Sequence, residues 1–143
     1  MATIFDVATY ILEQLGALST MKLQKLCYYS QAWSLVWDEQ PLFADEFEAW
    51  ANGPVCRELF MATKGDFTVS ASSIKGDSSV LSEDQKETVD SVLKFYGDKD
   101  AVWLSQLTHM EYPWIKAREG FPPGAKCHNT VKKEDMAYYY GSL

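Results

Sequence analysis

The sequence predicts a mainly α, compact single-domain bundle of several helices around a central apolar helix at about residues 20–37. Apolar side chains recur at helical spacing along most of the chain. The 20–37 stretch is apolar over most of its circumference, the mark of a helix packed on several sides. Strand-like alternation is confined to short pieces, leaving at most a small β element near 47–50 and 67–69. The 143 residues, 47% of them apolar, suffice for one core but not for two, so 1–143 reads as one domain.

The first helix is expected over 4–15, where Ile4, Val7, Ala8, Ile11, Leu12 and Leu15 share a stripe, Thr3 can cap the start and Gly16 suits a left-handed stop. Ser19 or Thr20 caps the central helix. Its apolar face carries Leu23, Leu26, Cys27, Ser30, Trp33 and Trp37, and a narrow strip of Gln24, Lys25 and Gln31 is left for the polar side. Pro41 breaks it. Phe47–Trp50 suits a short strand and Asn52-Gly53-Pro54 a sharp turn. Pro54 is well placed to start a helix covering Val55 to about Thr63, because its missing N–H costs nothing there.

Residues 64–80, rich in Gly, Ser and Asp, read as a surface loop with a brief strand near Phe67–Val69. Ser82 and Gln85 have capping-box spacing ahead of a helix carrying Val89, Val92, Leu93 and Tyr96, which Gly97 ends. Further helices are expected from about Asp100 to Thr108, at Trp114–Glu119 after Pro113, and from a Thr130 cap to about Tyr140. Tyr138, Tyr139 and Tyr140 cannot all point inward from one helix, so at least one meets solvent or a partner.

The bulk chemistry excludes several functions. No run approaches the roughly 20 apolar residues of a membrane span, and no basic-then-apolar leader opens the chain, which reads as cytoplasmic. Three cysteines without CxxC spacing point to reduced thiols rather than a disulfide framework. The net charge of −7 disfavours direct nucleic-acid binding. A helix-turn-helix reading of 20–37 fails as well, since its surface would be Leu, Tyr, Trp and Cys. Between Asp38 and Cys56 lie five acids and no base, a stretch that either keeps the domain soluble or steers a basic protein partner.

No reactive centre is legible. Cys127-His128 and His109 raise a cysteine–histidine enzyme, but adjacent loop residues usually point apart and no oxyanion turn accompanies them. Two histidines and three scattered cysteines supply no zinc spacing, and neither Gly-Asp pair has a phosphate-loop form, so no metal, cofactor or catalytic residue is assigned. His109 reads as a capping or hydrogen-bonded structural histidine.

An ordered set of motifs runs from about Met21 to Arg118. It comprises Lys22-Leu23-Gln24-Lys25-Leu26, Tyr28-Tyr29, Gln31 and Trp33 on the central helix, then Pro41-Leu42-Phe43, Glu48-Ala49-Trp50 and Gly53-Pro54-Val55. Leu107-Thr108-His109 and Pro113-Trp114 complete it. In this order and spacing the set resembles the Panacea, or SocA-like, domain of phage- and bacteria-borne antitoxins. The resemblance implies an antitoxin, not an enzyme, that neutralises a cognate protein toxin by direct contact. Prominent among such toxins are alarmone-synthetase-like enzymes that block translation by modifying tRNA. An alternative within the family is a SocA-type adaptor delivering its toxin to a ClpXP protease. From another class, the rival is an acidic phage protein that inhibits a host target. A toxin that handles tRNA would expose basic surface, which makes the 38–55 segment the expected contact, with Asp45, Glu46 and Glu48 supplying charge and Trp50 and Asn52 at its centre. The competing reading makes Trp50 through Val55 a packed corner.

Overall fold

The computed structural model describes all residues from Met1 to Leu143. Helix α1 spans Ile4–Leu15. Its start is held twice: Thr3 N donates to the Asp6 carboxylate at 2.8 Å, and Ile4 N donates to Asp45 Oδ1 at 3.1 Å. Gly16, with φ +83°, turns the chain out of the helix. Strand β1, Leu18–Ser19, leads into α2, Thr20–Trp37, where Ser19 Oγ accepts from Lys22 N. The remaining elements are β2 (Phe47–Trp50), β3 (Gly53–Val55), α3 (Arg57–Ala62), β4 (Thr68–Val69), α4 (Glu83–Tyr96), α5 (Ala101–His109), α6 (Tyr112–Ala117), β5 (Thr130–Val131) and α7 (Lys133–Gly141). Short 3₁₀ turns occupy 71–73 and 78–80. No helix is long and apolar enough to cross a membrane.

The fold is mainly α, as expected, and α2 is its axis, touching α1, α4, α5, α7 and β3. Tyr28, Tyr29, Phe43, Phe47 and Tyr140 fill the centre. Tyr29 stacks on Tyr96 with ring centroids 4.1 Å apart, and Tyr29 and Tyr140 each donate to Glu111 Oε1 at 2.7 Å. Burial pushes the Glu111 carboxyl above its ordinary range, against the two tyrosine hydrogen bonds that favour its charged form. Of the three C-terminal tyrosines, Tyr140 is buried and Tyr138 is exposed, as one helix requires.

Three expectations are corrected, and one pairing is new. Trp37, placed on the apolar face of α2, is half exposed, whereas the polar strip of Gln24, Lys25 and Gln31 is 4%, 1% and 1% exposed. Pro54 does not begin a helix but sits in β3, and α3 starts after Cys56. Thr130 caps nothing; it lies in β5, and Lys132 takes the cap position of α7. Leu18–Ser19, unassigned in the sequence reading, pairs antiparallel with Thr68–Val69.

Three strands form an antiparallel sheet in the order β3-β2-β5. Its register explains the proline. Ala49 stands opposite Pro54, yet Ala49 N donates to Asn129 O at 2.8 Å and Ala49 O accepts from Arg118 Nη1 at 2.8 Å. Neither backbone group of Ala49 needs a partner from Pro54, so a residue without an N–H costs the ladder nothing.

Candidate functional site: a cationic cavity under the β2–β3 hairpin

The hairpin is held by side chains that reach its main chain. Gln24 on α2 uses both ends of its amide on Cys56, donating to its carbonyl at 3.0 Å and accepting from its N–H at 2.9 Å. Two helical turns on, Gln31 does the same to the preceding segment, donating to Phe43 O at 2.8 Å and accepting from Leu42 N at 2.7 Å. Lys25 Nζ donates to Pro54 O at 3.2 Å. From the other side, Ser105 Oγ donates to Asn52 O and Trp114 Nε1 to Trp50 O at 2.9 Å. Gly53 is the closure point. Its φ is +117°, and a Cβ there would lie 2.6 Å from Lys25 Cε and 2.9 Å from Thr108 Oγ1.

Below the hairpin lies a cavity of about 490 Å³, lined among others by Met21, Lys25, Trp50, Phe60, Lys126 and His128. Trp50 meets Phe60 edge-on at 4.8 Å, forming an aromatic wall. Every charged side chain in the lining is a base, and no carboxylate takes part. Lys25 has no salt-bridge partner in the chain, and burial lowers its pKa to about 7.

The acids singled out in the sequence are spent on internal contacts. Asp45 caps α1, and Glu46 pairs with Lys133 at 2.8 Å. Glu48 accepts from Trp50 Nε1 at 2.8 Å, pairs with Arg57 at 3.0 Å and lies 3.1 Å from His128 Nδ1. Burial alone would raise the Glu48 carboxyl, but hydrogen bonds from Arg57, Trp50 and His128 outweigh it and hold the group below its usual range. Trp50 is half-buried in the cavity wall, and Asn52 is exposed at its edge.

Catalytic pairings do not converge. The Cys127 thiol is buried and faces Ala117 O, while the His128 ring turns to Glu48, Arg57 and Trp50. Burial pushes the Cys27 thiol well up and the Cys56 thiol to about 12, far from a reactive thiolate. Asp45, Cys56 and Glu58 bring one ligand atom each within 4.8 Å of one another, but the Cys56 thiol already donates to Glu58, and Asp45 accepts from Ile4 N as a cap of α1. His109 packs on Trp114 at 4.3 Å; burial, partly offset by a hydrogen bond to the Ala51 backbone, lowers its pKa.

A model of the SocA-like antitoxin Panacea domain matches residues 23–115. The chain belongs to that family. No curated protein and no solved structure matches it. The match covers Gln24 and Lys25, the whole hairpin, Thr108 and Trp114, while the cavity residues Met21, Lys126 and His128 lie outside it. It also covers Tyr28 and Leu26 in the core, and Trp33, whose Nε1 donates to Tyr96 OH at 3.0 Å. Lys22 and Pro113 serve at helix ends, Lys22 by donating to Gly97 O at 2.7 Å and Pro113 in the first turn of α6. Outside the match, β5 and α7 complete the core of the chain with Val131, Met136 and Tyr140. Sequence reasoning missed Lys126, His128 and Phe60 as cavity residues, because they come together only through the packing of β5 and α3 beside the hairpin.

Proposed function

We propose that this protein is an antitoxin that neutralises a cognate protein toxin by direct binding, with Trp50 and Asn52 at the contact. The observation that carries the reading is the family match over residues 23–115. It is supported by the hairpin, which holds a half-buried tryptophan and an exposed asparagine on a rigidly anchored corner. Trp side chains of this kind are the usual anchors of protein interfaces. Asp45, Glu46 and Glu48 act in this reading mainly as supports. Glu48 orients Trp50 and Arg57, and the net charge of −7 supplies long-range attraction for a basic toxin such as a tRNA-modifying, alarmone-synthetase-like enzyme.

The test is co-expression with the product of the neighbouring reading frame. That product alone should arrest growth and translation, and this chain should restore both while co-purifying with it. Trp50→Ala combined with Asn52→Arg should abolish rescue in a chain that still unfolds cooperatively, and Asn52→Arg alone, at an exposed position, should weaken rescue with the thermal midpoint near that of the parent. Full rescue by this folded double variant would remove the hairpin from the interface. Blotting the toxin in rescued cells separates direct inhibition, in which it persists, from delivery to a ClpXP-type protease, in which it disappears unless the protease is deleted.

A further inference from the structure

The chain carries seven net negative charges, yet its main cavity is lined by bases and closed by a lysine that is 1% exposed. That local inversion of charge is not required by the fold. A buried ammonium without a counter-ion destabilises the folded state, and one of similar shape but no charge would pack as well. The Lys25 ammonium has three donors, of which one is engaged by Pro54 O. The Trp50–Phe60 pair, Met21 and Val55 supply an apolar part of the wall, and Lys126 and His128 also line the cavity. A volume of about 490 Å³ is that of a small-molecule site rather than a packing defect.

We propose that this cavity binds a monocarboxylate carried on an aromatic body, its carboxylate meeting the Lys25 ammonium and its ring lying against Trp50 and Phe60. Lys25 is the one fully buried cation among the lining residues, which suits one negative charge. The apolar wall argues against a polyphosphate, which needs several converging donors. Entry of the anion supplies the counter-ion that the chain lacks, and burial has already brought the Lys25 amine to a pKa of about 7, poised to take up a proton on binding. The same chemistry has two sources, a free aromatic acid or the C-terminal aromatic residue of a protein chain. The proposal stands on the cavity alone and does not depend on the antitoxin reading.

The experiment follows the Lys25 side-chain 13Cε resonance and the Trp50 indole N–H resonance of the purified chain. The probes are phenylacetate, indole-3-propionate and N-acetylphenylalanine, each beside its primary amide. Saturable shifts of both resonances by the acids, with the amides about tenfold weaker, are expected from the loss of one charge-assisted contact. Lys25→Met should remove the preference for acid over amide, and Met21→Trp, which fills the cavity from an accessible position of α2, should weaken all probes together. Short peptides ending in a free phenylalanine then decide the source: binding equal to N-acetylphenylalanine supports a chain end, and binding only of the small acids supports a free ligand. Amides that bind as tightly as acids, or resonances of Lys25 and Trp50 that no acid moves, would overturn the proposal.

Discussion

The β2–β3 hairpin and the 64–80 segment are both short, glycine-containing excursions from the helical body, but they are held in opposite ways. The hairpin is fixed by buried side chains of α2, α5 and the α6 region that donate to or accept from its main chain. The 64–80 segment pairs with Leu18–Ser19 through Thr68–Val69 and buries Val69 and Ile74, but elsewhere it is held by exposed side-chain contacts within the segment. Ser70 interacts with Ser72 and Ser73, and Asp77 with Ser79. Its ties to α1 are exposed: Asp77 N to Asp6 at 2.8 Å and Ser78 Oγ to Glu13 at 2.6 Å. Water can replace an exposed hydrogen bond, while a buried group that loses its partner bears the full desolvation cost. Burial of its hydrogen bonds therefore makes one excursion rigid enough to carry a site, while exposed ones leave the other a surface strap.

The sharpest way to break this contrast is Gly53→Val. The substitution combines an unfavourable backbone angle with a clash against the packed Lys25 and Thr108 side chains. A loss of about 3–5 kcal/mol is expected in urea unfolding, the sum of typical strain and overpacking costs. Next in size is Gln24→Ala, which strands the Cys56 N–H and carbonyl. Because the cavity lets water approach, a loss of about 2–3 kcal/mol is expected rather than the full cost of two buried groups. A loss below about 0.5 kcal/mol would mean that the hairpin is held elsewhere.

Lys25→Met should act in the other direction. Burial moves the Lys25 pKa from its ordinary 10.5 to about 7, so between those values the unfolded chain binds a proton that the folded chain does not. Stability then rises with pH across that window, and at or below its lower end the folded state carries the full penalty. Replacing the amine with a methyl thioether removes the penalty and forfeits the hydrogen bond to Pro54. A net gain of about 1–3 kcal/mol near neutral pH is expected, with the rise between about 7 and 10.5 flattened. Urea unfolding of both chains across that range measures it, and a destabilised variant with an unchanged pH slope would show that the amine is not a burden on the fold.

How much of this was legible depends on whether the cause is local. The helices at 4–15, 20–37 and 83–96 announce themselves through caps and apolar stripes, and the structure places them there. Pro54 and Thr130 misled because helix-start chemistry is local, whereas the strand pairing of Gly53–Val55 and Thr130–Val131 with Phe47–Trp50 is set by distant residues. Gln24, Lys25 and Gln31 read only as a narrow polar strip, because hydropathy registers a side chain's polarity and not its partner. Their spacing did contain a signal. Two glutamines two turns apart on an otherwise apolar helix share one face, and an amide offers the donor and acceptor that an unpaired stretch of backbone needs. The acidic 38–56 run was visible, but the cations that pair with Glu46 and Glu48 come from Lys133 and Arg57, beyond any local window.

The smallest effect belongs to the strap. Asp77 Oδ1 accepts from Ser79 N at 3.0 Å and from Ser79 Oγ at 2.6 Å, and these bonds hold the carboxyl below its usual range. Asp77→Ala should cost about 0.5–1 kcal/mol, the value of an exposed cap, since the backbone N–H of residue 77 can still reach Asp6. The discriminating readout is amide hydrogen exchange. In this variant protection should fall across residues 77–80 and stay unchanged at Cys56, whose N–H is bound by Gln24; in Gln24→Ala the pattern should reverse. If Asp77→Ala also loosened Cys56, the two excursions would share one cooperative unit, and the hairpin's rigidity would have to be credited to the whole α1–α2 body rather than to the side chains that grip it.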